Sequence, residues 1–263
     1  MAAVVIDTVG NGPRRVYLLH GILGSGRNWR SFARRLVRQR PDLTVHLVDQ
    51  RAHGQAPPSD APHTLSACAA DVAQLESQHG AADGVIGHSF GGKVALAWAE
   101  AGGGGSVWVL DSPPGVPDGE PTDATHDALG VLHALDSCPL PAPSRQAIRE
   151  HLLGAGLSEA ITMWLLTSTR RADDGWRWVY DLPAVHDMLD DYFRRDLWPV
   201  ATGSHRVHLV RAEQSDRWSS RELERAEAAD ASGQIAWHVL PDAGHWLHVD
   251  NPDGLLALLE AHL

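Results

Sequence analysis

The sequence predicts an α/β fold: a mostly parallel sheet doubly wound with helices on both faces. Two observations carry this prediction. Short apolar, strand-like runs alternate with helical periodicities along most of the chain, and the loops joining them are short. A length of 263 residues allows a large core and falls in the range of one α/β domain, or one such domain with an insertion.

Composition narrows the class. A hydrophobic content of 43% with 21% charged residues describes a soluble globular protein, and the formal net charge of −11 argues against nucleic acid and against an anionic membrane surface as partners. No segment reaches 18 consecutive apolar residues and the first residues lack a basic and apolar leader, so no stable membrane insertion is expected. The expected location is intracellular, cytoplasmic or, with a trimmed targeting segment, organellar. Cys68 and Cys138 are too few and too far apart for a disulfide framework or a cysteine metal site. The pairs His205/His208 and His245/His248 have tempting spacings, but neither lies in a helical His-Glu-x-x-His frame with further ligands, so neither a metal nor another cofactor is expected.

Taken in order, residues 4–6 and 16–19 read as strands separated by the turn Gly10-Asn11-Gly12-Pro13. The second strand runs into His20-Gly21-Ile22-Leu23-Gly24-Ser25-Gly26, which matches neither a P-loop nor a dinucleotide fingerprint and reads better as a source of backbone N–H groups for an oxyanion. The next helix interleaves Arg30, Arg34, Arg35 and Arg38 with Phe32, Leu36 and Val37, a solvated face over an apolar stripe. Residues 44–48 form a strand, followed by the structured turn Asp49-Gln50-Arg51-Ala52-His53-Gly54, and residues 64–78 an amphipathic helix.

Residues 83–86 then read as a buried strand and 94–101 as a helix, with Gly87-His88-Ser89-Phe90-Gly91 between them. A sharp strand-to-helix reversal that lifts one side chain clear of the sheet crowds the backbone two residues to either side, which is why glycine is needed there. Ser89 is therefore the candidate nucleophile, with the N–H groups of Ile22 and Phe90 as candidate oxyanion donors.

After the strand at 106–110 the alternation stops. Residues 112–203 show helical periodicities at 125–135, 144–153, 157–166 and 182–193 and no clear strand, so a helical cap is expected to interrupt a core formed by 1–111 and 204–263. Alternation resumes with a strand at 206–210, a helix at 219–229, a strand at 235–240 and a closing helix at 252–262. In such a sheet the site lies at the carboxyl ends of the strands, where Ser89, Asp216 and His245 fall in the order nucleophile, acid, base.

The chain resembles the α/β-hydrolases, and within them an esterase group of bacteria and organelles. The resemblance rests on His20-Gly21-Ile22-Leu23-Gly24-Ser25-Gly26-Arg27-Asn28-Trp29, Asp49-x-Arg51-x-His53-Gly54, Gly87-His88-Ser89-Phe90-Gly91-Gly92-Lys93, Ser215-Asp216 and Gly244-His245-Trp246-Leu247-His248-Val249. Ala56 stands where relatives usually carry serine. The resemblance implies an α/β-hydrolase fold and a cofactor-free carboxylic-ester hydrolase with Ser89 as nucleophile, Asp216 as acid and His245 as base. Asp111 and Glu213 remain rivals for the acid, because some hydrolases of this fold place it after the earlier strand. Leu23, His88 and Trp246 are expected in the substrate pocket, with His248 beside them. The expected partner is a small acyl ester of short to medium chain length, or a thioester. Carbon–carbon bond hydrolysis, a lyase reaction and a ligand-sensing role on the same scaffold remain open, since the triad alone does not fix the reaction.

Overall fold

The computed structural model describes residues 5–119 and 127–263. Its strands are β1 (Val5–Gly10), β2 (Arg14–Leu19), β3 (Leu43–Asp49), β4 (Gly84–His88), β5 (Ser106–Leu110), β6 (Thr169–Ala172), β7 (Gly175–Trp178), β8 (Val207–Ala212) and β9 (Ala236–Leu240). Its helices are α1 (Arg30–Gln39), α2 (Leu65–His79), α3 (Phe90–Glu100), α4 (Asp127–Asp136), α5 (Arg145–Gly154), α6 (Glu159–Leu166), α7 (Leu182–Arg194), α8 (Trp198–Ala201), α9 (Ser220–Ala231), α10 (Leu247–Asp250) and α11 (Pro252–His262). Val4, read as part of the first strand, and residues 125 and 126, read as part of the fourth helix, lie outside the described residues.

Seven strands form one sheet in the order β1-β3-β2-β4-β5-β8-β9, with β1 antiparallel to β3 and every other neighbouring pair parallel. The period-2 geometry of a strand divides its side chains between two cores. Tyr17, Leu19, Val107 and Val109 enter the core shared with α2, α3 and the segment after β5, while Val16, Leu18, Trp108 and Leu110 enter the core under α1 and α11. Burial on both faces is the reason these strands read as unbroken apolar runs. Helix starts depend on capping side chains: Thr64, Ser144, Ser158, Asp181, Ser219 and Asn251 each accept a hydrogen bond from the N–H three residues on.

Between β5 and β8 lie α4 to α7, as the sequence suggests, together with the short α8 and the antiparallel hairpin β6–β7, which it does not. The Asp173-Asp174 turn and Gly175 at φ 144 reverse the chain there, and Ala142 exchanges backbone hydrogen bonds with Trp176 at its edge. Among the described residues no helix is long and apolar enough to cross a membrane.

Candidate active site

Ser89 occupies the turn between β4 and α3 at φ 52 and ψ −120, left-handed backbone that a non-glycine residue adopts only when its surroundings enforce it. The enforcement is visible in the flanking glycines. A Cβ on Gly87 would lie 1.9 Å from the Gly91 carbonyl oxygen, and one on Gly91 would lie 2.7 Å from the carbonyl oxygens of both Leu19 and His20. The Ser89 N–H donates to Leu110 O at 2.9 Å, tying the turn to the adjacent strand, while its side chain makes no capping bond and borders a cavity.

His245, in the loop after β9, borders the same cavity. Its Nδ1 lies 2.8 Å from Oδ2 of Asp111. This corrects the sequence reading, which favoured Asp216. The Asp216 side chain is 87% exposed and its nearest cation is Arg217 at 3.6 Å. The other rival, Glu213, accepts the Asp242 N–H at 3.0 Å. Asp111 follows β5 directly at φ 48 and is 1% exposed. Its Oδ1 accepts the Ala212 N–H at 3.2 Å and the Trp218 indole N–H at 3.0 Å, and its Oδ2 accepts the Ser215 hydroxyl at 2.6 Å as well as His245. Burial would raise this carboxyl, but the bonds from His245, Ser215 and Ala212 outweigh it and hold Asp111 below the ordinary carboxylate range. Ser215 of the Ser-Asp pair therefore points inward to the carboxylate while Asp216 points out to solvent.

Ile22 and Phe90, read as oxyanion donors, both border the cavity, and neither N–H donates to an acceptor among the described residues. The loop that carries Ile22 is held by groups whose role the sequence did not disclose. Leu23, at φ 59, donates its N–H to Nε2 of His53 at 3.0 Å, and Nδ1 of His53 bonds Arg51 O at 2.8 Å, so the ring is the neutral Nδ1–H tautomer. His20 is fixed the same way, with Nδ1 to Gly21 O at 2.7 Å and Nε2 accepting from Gln50 N–H at 3.1 Å. Asp49 accepts the N–H groups of Gly26 and Gln55 at 2.7 and 2.8 Å, and the Tyr180 hydroxyl donates to Leu23 O at 2.6 Å. Burial lowers His20 to about 4, and burial with the neighbouring His20 lowers His53 to about 3, so both rings stay neutral acceptors near pH 7.

Leu23, His88 and Trp246, read as pocket residues, line this cavity, with His248 beside them. His88 donates from Nε2 to the His245 carbonyl at 2.7 Å, and burial together with the nearby His245 and His248 keeps it well below the ordinary histidine range. The segment after β5 contributes Ala128, Val131, Ile161, Trp164, Leu189 and Tyr192 to the opposite wall. Trp164 meets Trp246 edge-on with ring centres 4.8 Å apart, closing this apolar side. Ser89, His245 and the residues that carry the two candidate N–H groups thus border one largely apolar cavity at the carboxyl ends of β2, β4 and β9, with the buried Asp111 carboxylate bonded to His245 from the end of β5.

Comparison with known proteins agrees with this fold. A model of the "Alpha/beta hydrolase family" matches residues 16–258. The sn-1-specific diacylglycerol lipase ABHD11 of Danio rerio is 26% identical over 256 residues, which cover 94% of this chain and 77% of that protein. Esterase YbfF of Escherichia coli is 27% identical over 255 residues, covering 94% and 92%. A solved marine microorganism esterase superposes with a TM-score of 0.81 at 25% identity, covering 100% of both chains. The matched span takes in the sheet from Val16 of β2 through β9 and every residue of the site, and the chain belongs to the alpha/beta hydrolase family.

Proposed function

We propose that the chain is a serine esterase that cleaves short to medium acyl esters through an acyl-enzyme. The observation that carries this reading is the hydrogen bond from His245 to the buried Asp111, beside a cavity that Ser89 also borders. A serine hydroxyl is a weak nucleophile near neutral pH until a base takes its proton. Asp111 holds the proton of His245 on Nδ1, leaving Nε2 free to accept the Ser89 proton as Oγ attacks the acyl carbonyl. The N–H groups of Ile22 and Phe90 receive the oxyanion, with Phe90 at the positive end of the α3 dipole. His245 returns the proton to the departing alcohol. Water, activated by the same ring, then releases the acid from Ser89.

In this reading residues 112–203 act as a cap on a core of 1–111 and 204–263, and their apolar side chains receive the acyl group. Esterase and lipase relatives over nearly the whole chain support an ester substrate. The test is steady-state turnover of p-nitrophenyl esters from acetate to decanoate, with an acyl thioester in parallel. Multiple turnover is expected, with kcat/KM highest at short to medium length and lost in Ser89→Ala. Substoichiometric product from folded protein across the whole panel would reject the esterase reading in favour of a ligand-sensing role.

A further inference from the structure

Lys93 is the only lysine of the chain and is 1% exposed, on α3 four residues beyond Ser89. Its Nζ donates to three backbone carbonyls: Gly115 at 2.7 Å, Tyr192 at 2.8 Å and Arg195 at 2.8 Å. Gly115 belongs to the stretch by which the chain leaves the sheet after β5, whereas Tyr192 and Arg195 lie at the carboxyl end of α7, where it returns. A helix end rich in unpaired carbonyls favours a cation there. The same Nζ sits 4.6 Å from the centre of the Tyr192 ring, whose hydroxyl is 3.1 Å from Ser112 Oγ and whose ring centre is 6.1 Å from that of Phe90. Tyr192 and Phe90 both border the cavity.

We propose that Lys93 is a positioning residue whose ammonium clasps both stems of the 112–203 segment to the helix after the nucleophile, and so sets where Tyr192 closes the cavity. An ammonium has three N–H donors for the three carbonyls; a neutral amine has two and turns a lone pair toward the third. Only the charged form completes the clasp. Burial pushes Lys93 down to about 7, with Arg195 acting in the same direction and the carboxylates of Glu222, Asp196 and Asp191 opposing it. One stem therefore loses its donor as pH rises through neutrality, and substrate binding weakens with it.

A single lysine makes the test direct. In protein labelled with ε-15N lysine the one side-chain resonance reports Lys93 alone, with no dependence on catalysis. The expected result is an ammonium signal protected from solvent exchange at pH 6 that titrates near neutrality. An unprotected signal, or titration near the ordinary lysine value of about 10.4, would overturn the clasp as described. The kinetic arm rests on the esterase reading: KM is expected to rise several-fold from pH 6 to 8.5. Lys93→Arg, charged throughout, should remove the rise in KM, and Lys93→Met should show the high KM at every pH while a fluorophosphonate still labels Ser89. A wild-type KM that does not change over this range, in active enzyme, would refute the coupling to the cavity. Loss of labelling from unmodified wild-type protein would instead count against the esterase reading.

Discussion

Replacing Asp111 by asparagine changes one atom at the centre of the site, and the surrounding hydrogen bonds determine the consequence. Oδ1 of the new amide can still accept from Ala212 and Trp218, and the amide nitrogen can donate to the Ser215 oxygen, so only the Ser215 hydroxyl proton loses its acceptor and the fold should survive. The amide N–H₂ now faces His245 Nδ1 across the 2.8 Å contact where an acceptor stood. The imidazole must place its proton on Nε2, which then cannot take the Ser89 proton. This wrong tautomer is worth up to about 10⁴-fold in kcat, or about 5 kcal/mol of transition-state stabilisation. Asp216→Asn is the internal control. Its 87% exposed carboxylate makes only a loose pair with Arg217, worth about 0–1 kcal/mol, so kcat should stay within about threefold of wild type. Initial rates on p-nitrophenyl butyrate, with circular dichroism to verify folding, compare the two. A folded Asp111→Asn near wild type beside a crippled Asp216→Asn would refute the reasoning.

Other consequences can be measured as readily. The neutral His20 and His53 make the loop acid-labile: unfolded, both rings bind protons below about pH 6.5, whereas folded they do so only near 4 and 3, so stability is full above 6.5 and falls as pH drops, by up to about 3 kcal/mol per ring at pH 4. Urea midpoints should decline from pH 7 to 4.5, and a constant midpoint would contradict the burial argument. His53→Phe strands the buried Leu23 N–H at a cost of about 1–3 kcal/mol and should lower kcat about tenfold by loosening the loop that carries Ile22; unchanged kcat would remove His53 from that role. Gly87→Ala drives a Cβ into Gly91 O and should abolish soluble folded protein, whereas Gly104→Ala, with nothing within 4 Å, should leave the thermal midpoint level or slightly raised.

That Ser89, His245 and the glycine-rich loop would meet at one cavity was legible because each is tied to a local constraint: glycines flanking Ser89, a glycine-rich loop after β2, a histidine just past the last strand. The carboxylate partner of His245 was not. Asp111 and Asp216 come after β5 and β8, which are neighbours in the sheet, so chain order allows either one near His245. What decides is the path of the loop after Ala212, which turns Ser215 inward and Asp216 outward, and that path depends on contacts that Ser215 and Trp218 make with Asp111, over a hundred residues away. A signal was present in hindsight: Asp111 comes after its strand without an intervening residue, whereas Asp216 stands four residues beyond β8. The hairpin β6–β7 was missed because four-residue strands of mixed exposure leave almost no periodicity to read. The bonds of His53, Tyr180 and Lys93 join distant segments and have no local sequence signature at all.

The proposed mechanism requires Ser89 to be an activated nucleophile, and intact-mass spectrometry after exposure to a fluorophosphonate tests that without assuming a substrate. One adduct per chain is predicted for wild type at neutral pH, with none on Ser89→Ala and a strongly slowed reaction on Asp111→Asn. Wild-type protein that is folded yet takes up no adduct, or an adduct that persists in Ser89→Ala, would contradict it.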